Sequence, residues 1–151
     1  MILWMMNAIP PSHKKGMYYN MYMLDTNICI FAIKKRPEKV LARLQTHKPS
    51  EICISSITYA ELCHGVEKSL AKARNRLALT LFLSAINIMP FDELAANEYG
   101  KVRAALEANG TPIGPLDTQI AAHAKALNMT LVTNNTREFQ RVEGLHIEDW
   151  A

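Results

Sequence analysis

The chain has 151 residues, which is enough for one domain with a hydrophobic core of its own. Apolar residues make up 49% of it and charged residues 21%, a balance typical of globular domains rather than of disordered or fibrous chains. No apolar stretch approaches the roughly 18 residues that indicate a membrane span, so we expect no membrane-embedded part. The formal net charge of +3 permits a polyanionic partner but does not demonstrate one.

Residues 1–20 are predicted to lie outside the domain. The apolar run Met1–Met6 precedes the positive charges of Lys14 and Lys15, whereas a signal peptide has its positive charge first. Several methionines close to the first predicted strand offer alternative translation starts. We therefore expect residues 1–20 to be a disordered or adventitious extension, and residues 21–151 to form the domain.

The cysteines Cys29, Cys53 and Cys63 are an odd set without the C-x-x-C spacing of a metal or redox motif. Each stands in an apolar segment, which is typical of small core residues kept reduced. A set of reduced, unpaired thiols is usual inside the cell. We therefore expect no zinc site and no disulfide, and a cytoplasmic location.

The first half of the domain alternates short apolar strands with helices. The pattern predicts, in order, a strand at Tyr22–Leu24, a helix that starts within Ile28–Ile33, a second helix from Pro37 to about Leu44, a strand at Ile52–Ile54, and a helix at Thr58–Glu67. A long helix follows, with five apolar residues at helical spacing that we expect to lie in the core: Leu70, Ala73, Leu77, Leu81 and Ala85.

The second half continues the alternation. The first predicted elements are a strand at Ile86–Met89 and a helix capped by Pro90 and Asp92, which ends at Asn109-Gly110 and is marked by Leu94, Tyr99, Val102 and Leu106. A tight loop at Thr111–Pro115, an alanine-rich helix at Leu116–Leu127, a strand at Thr130–Thr133 and a short strand at Leu145–Ile147 follow. This order predicts an α/β fold of three layers, with a central parallel sheet of four to five strands flanked by helices.

Polar side chains stand where three of the predicted strands end. Asp25 follows the first strand, Glu61 lies about one turn into the helix after the second, and Thr133 ends the fourth. Asp117 opens the helix after the Gly114-Pro115 loop. Because sites in parallel sheets form at the carboxyl ends of the strands, we expect the three acids to share one crevice.

Three carboxylates in one crevice repel each other unless a cation neutralises them. Oxygen ligands without neighbouring His or Cys favour Mg²⁺ or Mn²⁺ over zinc. Such an ion can activate water for attack on a phosphodiester and stabilise the charge that develops on the phosphate. Asp25, Glu61 and Asp117 are therefore candidate metal ligands of a phosphodiesterase.

Each candidate also has a simpler structural interpretation. Asp25 suits a helix cap, Glu61 a solvated helix acid, and Asp117 a first-turn acid that faces the helix dipole. The remaining polar residues suit local structural roles: Asn27, Asn135, Ser55 and Ser56 as caps, Thr133 as a strand-end hydroxyl, and His123 as a packed or solvated side chain rather than a general base.

Four segments together resemble the motif series of PIN-domain nucleases in order and spacing. They are Leu24-Asp25-Thr26-Asn27, Ile54-Ser55-Ser56-Ile57-Thr58 with Glu61-Leu62, Gly114-Pro115-Leu116-Asp117 with Ile120-Ala121, and Val132-Thr133-Asn134-Asn135. The resemblance covers roughly residues 21–151. Further segments resemble the VapC toxins described as initiator-tRNA endonucleases, among them Cys29-Ile30-Phe31, Glu67-Lys68-Ser69, Gly110-Thr111-Pro112, Arg137-Glu138-Phe139 and Ile147-Glu148-Asp149-Trp150.

The resemblance implies a PIN-like, Rossmann-like fold and a set of site residues. It makes Asp25, Glu61 and Asp117 the ligands of Mg²⁺, with Mn²⁺ as a substitute, and gives Asn27 a supporting position. Thr133 would orient water or a carboxylate. Many PIN domains have an aspartate where this chain has Asn135, so we expect one strong metal site and a second ion, if any, that arrives with the substrate.

The resemblance also implies a function and partners. The function is that of the toxin in a type II VapBC pair, which inhibits translation by hydrolysing RNA through metal-activated water, with the anticodon loop of initiator tRNA as the implied target. The implied partners are a VapB-type antitoxin that covers the site, operator DNA reached only through that antitoxin, and a second copy of the toxin in a homodimer.

Two other functions are compatible with an α/β domain that carries acidic residues. A phosphoacceptor receiver-like domain would need paired acids at the first strand and a lysine at the end of the last, whereas here Asp25 stands alone and asparagines follow Thr133. A non-catalytic RNA-binding or interaction module would have no use for three converging acids. Addition of Mg²⁺ separates the three functions, because a nuclease cuts RNA, a receiver takes up phosphate, and a binding module does neither.

Overall fold

The computed structural model describes Tyr18 and residues 20–151. The prediction for residues 1–20 falls, apart from Tyr18 and Asn20, outside this part of the chain. Tyr18 is half-buried and packs against the core, and its carbonyl accepts a hydrogen bond from the Met21 amide at 2.9 Å. No helix in the described part of the chain combines the length and hydrophobicity that crossing a membrane requires.

Five strands and seven helices alternate along the described chain. The strands are β1 (Tyr22–Leu24), β2 (Ile52–Ser55), β3 (Asn87–Met89), β4 (Thr130–Val132) and β5 (Ile147–Glu148). The helices are α1 (Thr26–Lys34), α2 (Glu38–Gln45), α3 (Ser56–Glu67), α4 (Lys72–Leu83), α5 (Glu93–Ala108), α6 (Pro115–Ala126) and α7 (Thr136–Phe139). A short 3₁₀ turn at Pro49–Glu51 precedes β2.

All five strands run parallel, in the order β3-β2-β1-β4-β5. The central strand β1 pairs with β2 on one side and β4 on the other, so that Tyr22 lies opposite both Ile52 and Thr130. The predicted α/β architecture is confirmed. The β4 strand ends one residue earlier than predicted, at Val132, and β5 lies at Ile147–Glu148 rather than at Leu145–Ile147.

Helices cover both faces of the sheet, because alternate residues of each strand point to opposite sides. On one face, Met23, Cys53 and Leu131 pack under α5 and α6. On the other, Leu24 and its neighbours pack under α1 to α4. Each large apolar side chain buried here contributes roughly 1.5–3 kcal/mol to folding. Two full apolar layers therefore hold the strand ends, and the polar residues that follow them, in fixed positions.

The predicted core stripe on the helix after Glu67 is wrong. The α4 helix begins at Lys72, so Leu70 precedes it and is fully exposed, and Leu77 and Leu81 are 59% and 64% exposed. Leu79 is the residue that α4 buries. Helical spacing correctly places these residues on one face of α4. The helix packs against the rest of the domain with a different face, which carries Leu79. Of the four residues that marked the next helix, Val102 and Leu106 are buried and Tyr99 is half-buried, whereas Leu94 is 54% exposed.

Candidate active site

Asp25 links three structural elements at the carboxyl end of the central strand. It is the first residue after β1, and its carboxylate caps α1 by accepting a hydrogen bond from the Ile28 amide at 2.9 Å. Its own amide donates to the Val132 carbonyl of β4 at 3.0 Å. The cap interpretation is therefore correct, and it fixes one carboxylate oxygen of a side chain that is only 4% exposed.

Glu61 lies on α3, and a threonine holds its carboxylate towards the start of α1. The Thr26 hydroxyl donates to Glu61 Oε1 at 2.8 Å. Since Thr26 directly follows Asp25, this bond brings Glu61 to the same strand end. Thr26 was not among the predicted site residues, although its position directly after Asp25 indicated that it would lie at the same strand end.

Asp117 lies in the first turn of α6, after Gly114 and Pro115. A Cβ atom at Gly114 would lie 3.7 Å from Asp117 Oδ2, which is an ordinary contact distance. The Thr118 hydroxyl donates to the Gly114 carbonyl at 2.8 Å and ties the loop to the helix. The Asp117 side chain is thus held at the mouth of the loop, half-buried.

The three predicted acids share one electrostatic environment. Burial raises the pKa of Asp25 to about 6, hydrogen bonds from Thr133 and Ile28 oppose that rise, and the charges of Asp117 and Glu61 add to it. The pKa of Asp117 is also raised, first by burial and then by Glu61 and Glu138. The structure therefore brings Asp25, Glu61 and Asp117 together, and their negative charges destabilise one another.

The short helix α7, after β4, carries a fourth acid, Glu138, which was not among the predicted site residues. Asn135 donates from its side-chain amide to Glu138 Oε2 at 2.7 Å, and from its backbone to the Thr133 hydroxyl at 2.9 Å. Glu138 is close enough to Asp117 to raise its pKa. The sequence did contain a signal for Glu138: it lies in the first turn of the helix that directly follows Thr133 and Asn135.

No hydrogen bond in the described part of the chain joins the Asn27 or His123 side chain to these acids. Asn27 is exposed in the first turn of α1. His123 is buried, with Nδ1 2.8 Å from the Ser55 hydroxyl and its ring edge-on to Phe91. Burial lowers the pKa of His123 to about 4, so the ring is neutral at pH 7. Of the two placements expected for His123, packed or solvated, the structure shows the packed one.

The donor set suits a hard divalent cation. Asp25, Glu61 and Asp117 offer carboxylate oxygens, and Asn135 an amide oxygen, which are the ligands that Mg²⁺ and Mn²⁺ prefer. In the described part of the chain, no group of three His, Cys, Asp or Glu side chains is arranged to hold a metal ion. Burial is the main cause of the raised pKa values of Asp25 and Asp117, and the neighbouring acids add a repulsion that an ion would relieve. The chemistry of the donor atoms therefore fits a metal.

Comparison with known proteins identifies the family. The PIN domain family model matches residues 22–145. The chain is 48% identical over 130 residues to the tRNA(fMet)-specific endonuclease VapC of Salmonella typhimurium, covering 86% of this chain and 98% of that protein. It is 47% identical over 130 residues to ribonuclease VapC2 of Rickettsia felis, covering 85% and 97%.

Solved structures agree with this result. The VapBC complex of Salmonella typhimurium bound to DNA contains a chain that superposes with a TM-score of 0.83 at 47% identity, covering 87% of this chain and 98% of that one. PIN-domain ribonucleases are metal-dependent, as the clustered acids of this chain would require. The chain belongs to the PIN-domain family and, within it, to the VapC ribonucleases, the toxins of VapBC toxin–antitoxin systems.

Proposed function

We propose that this chain is a Mg²⁺-dependent endoribonuclease that inhibits translation by hydrolysing one phosphodiester in the anticodon loop of initiator tRNA, with Mn²⁺ able to replace Mg²⁺. The observation that carries the proposal is the convergence of Asp25, Glu61 and Asp117 at one strand end, where Thr26, the residue after Asp25, donates a hydrogen bond to Glu61. The name of the Salmonella relative supports the substrate. An anticodon loop also suits RNA-binding proteins, which read sequence mainly in unpaired loops.

In this proposal Asp25, Glu61 and Asp117 hold the ion directly. Glu138 and Asn135 do not hold the ion directly in this proposal. Their side chains are hydrogen-bonded to each other at 2.7 Å. When bound, the cation supplies a nucleophilic water and positive charge for the phosphate. The amide of Asn135 adds no charge, so the resting enzyme has one strong metal site, and a second ion comes only with substrate.

The chain's own residues hold this arrangement in place. Thr26 directs the Glu61 carboxylate, Thr133 hydrogen-bonds to the Asp25 carboxyl, and the Ile28 amide fixes one Asp25 oxygen. No side chain is assigned as general base. His123 does not take that role, because its Nδ1 is engaged with Ser55 and the ring is buried.

We further propose that a VapB-type antitoxin covers this site. A cavity of about 310 Å³ lies between α1, α3 and α4, with Glu61 at its border and Ile30, Ile33, Leu62 and Leu79 in its wall. An apolar antitoxin segment suits this wall, and a basic side chain at its end would pair with the acids. The related VapBC complexes, two of them bound to DNA, support this partner.

The assembly and its location complete the proposal. The toxin forms a homodimer and reaches operator DNA only through the antitoxin. It acts in the cytoplasm, where tRNA is found and where its three free cysteines remain reduced.

The test is cleavage of total bacterial tRNA by purified, antitoxin-free protein with Mg²⁺. Parallel reactions contain Mn²⁺, EDTA, the variant Asp25→Asn, or the matched control Asp149→Asn at an exposed position outside the acidic cluster. We expect one discrete cut in initiator tRNA, lost with EDTA and in Asp25→Asn but retained in Asp149→Asn. A cut in another RNA would refute the substrate, and a folded protein that binds metal and RNA without cutting would refute the activity.

A further inference from the structure

A second cavity, of about 210 Å³, lies between α5 and the loop that leads into α6. The site described above does not use it. Eight side chains line it, among them an aromatic ring, a guanidinium, a carboxylate and two prolines: Tyr99, Arg103, Glu107, Pro112, Pro115, Leu106, Ile113 and Thr118. The wall therefore combines planar groups with apolar ones.

Tyr99 and Arg103 are held together one helical turn apart. Arg103 Nη1 donates to the Tyr99 hydroxyl at 2.9 Å, and Arg103 Nε donates to Glu107 Oε1 at 2.7 Å. These two bonds orient the guanidinium beside the phenol ring, while the Arg103 side chain stays 59% exposed. An exposed planar cation is therefore bonded to the hydroxyl of a half-buried aromatic ring, and both line the cavity.

The opposite wall is anchored to the candidate active site. Arg141 Nη1 donates to the Pro112 carbonyl at 3.1 Å, and Arg141 follows the short helix that carries Glu138. Ile113 packs against the core. Thr118, which lines the cavity, directly follows Asp117 in α6. The cavity thus begins one residue away from a proposed metal ligand, on a loop held at both ends.

The charges favour a base over a phosphate as the occupant. Glu107 already pairs with Arg103, so the guanidinium has little net charge to offer a phosphate. Its planar face stays available, and unpaired RNA bases stack on aromatic rings and guanidinium planes. We propose that the Tyr99–Arg103 cavity is a nucleobase subsite that stacks one unpaired base of the RNA substrate beside the cleaved phosphodiester. The proposal rests on the proposed ribonuclease function.

The experiment measures binding of an RNA hairpin that carries the initiator-tRNA anticodon loop, together with a set in which each loop nucleotide in turn is abasic. Full-length Asp25→Asn protein is used so that binding is measured without cleavage. One abasic position is expected to weaken binding about tenfold, in the range known for base stacking on an aromatic side chain. In Asp25→Asn/Tyr99→Ala the intact hairpin binds about tenfold more weakly, and that abasic position has no further effect.

Four further variants distinguish base stacking from a simple charge effect. Tyr99→Phe keeps the ring and is expected to bind nearly as well as the parent, whereas Arg103→Lys keeps the charge, loses the plane and binds several-fold more weakly. Tyr59→Ala, at an exposed tyrosine on α3, is the matched control and leaves affinity unchanged. Binding retained in Arg103→Lys but lost in Arg103→Ala would identify a phosphate site and overturn the proposal, as would a Tyr99→Ala effect equal at every abasic position.

Cleavage kinetics separate this inference from the proposed function. In otherwise unchanged protein, Tyr99→Ala is expected to raise KM for the intact hairpin about tenfold, leave kcat unchanged, and leave cleavage of the hairpin that is abasic at the sensitive position unaffected. If the parent protein cuts the hairpin and Tyr99→Ala has the same KM, the subsite is refuted and the nuclease stands. If the parent protein cuts no RNA, the nuclease proposal fails, and the abasic series decides the subsite by binding alone.

Discussion

Two helices of equal length, α4 and α6, lie on opposite faces of the sheet and use their side chains in opposite ways. Each has twelve residues. The leucine-rich helix α4 buries only Leu79, whereas the alanine-rich α6 buries six consecutive or near-consecutive side chains between Thr118 and Ala124. The content of large apolar residues therefore does not predict which helix is central.

The difference follows from what each helix packs against. The α6 helix lies on the sheet and also against α5, and its small alanines allow this close approach on two sides. The α4 helix is an outer element that packs on α3 and α1 by one face and leaves Leu77 and Leu81 exposed. The α6 helix thus positions Asp117, whereas α4 is an outer helix with one face exposed.

The largest expected effect separates the two helices by activity. Asp117→Asn on α6 should lower kcat/KM for tRNA by at least roughly 10²- to 10³-fold, because a neutral amide replaces a charged ligand of the ion. The paired variant Leu77→Asp/Leu81→Asp on α4 should stay within about twofold of the parent protein. Steady-state cleavage with Mg²⁺ measures both. Equal losses in the two variants would contradict the division between the helices.

The second effect concerns partner binding. Ala78→Asp, in the wall of the cavity beside Leu79, should weaken antitoxin binding by at least about tenfold, because it places a charge in the apolar wall that the bound segment would contact. Titration calorimetry with the cognate antitoxin measures this. Leu94→Asp, at an exposed leucine on α5, is the matched control. Unchanged affinity in the α4 variant, with the thermal midpoint of the free toxin unaltered, would place the antitoxin elsewhere.

The third effect concerns packing. Ala121→Leu should lower the free energy of unfolding by about 2–3 kcal/mol, because Ala121 is fully buried and the added methyl and methylene groups have no space. Leu81→Ala should change it by less than about 0.5 kcal/mol. Urea unfolding of the metal-free protein gives both values. A larger loss in Leu81→Ala than in Ala121→Leu would reverse the comparison.

The smallest effect depends on pH. The pKa of His123 is about 4 in the folded protein, below its ordinary value of 6.5, so the unfolded chain takes up a proton first as the pH falls. The contribution of His123 is therefore present above pH 6.5, and about 2 kcal/mol of it is lost between pH 7 and pH 5. Asp25 acts in the opposite sense because its pKa is raised.

A difference measurement isolates the histidine. The free energy of unfolding of the parent protein is compared with that of His123→Gln at each pH, so that the Asp25 contribution cancels. We expect the advantage of the parent protein to shrink as the pH falls from 7 to 5. A pH-independent difference would mean that His123 is not held neutral by burial. No α4 residue should show such a dependence.

Much of the fold and part of the site follow from local pattern. The strand before Asp25 and the turn before Asp117 were predictable, because apolar runs, caps and prolines act within a few residues. The bond from Thr26 to Glu61 and the position of Glu138 beside Asp117 were not, because each joins segments far apart in the chain. The exposure of Leu77 and Leu81 also depends on tertiary placement. Helical spacing defines a face, but not what that face contacts.

The pairing of β1 with β4 has a consequence for synthesis. Asp25 stands near the start of the domain, yet its amide bonds to Val132 and its carboxyl to Thr133, about a hundred residues later. Parallel pairing over such a separation forms late in folding, and chains emerge from the ribosome N-terminus first. The acidic cluster is therefore complete only when β4 and Thr133 have left the ribosome. We expect a nascent chain to gain activity against tRNA only after that point in its synthesis.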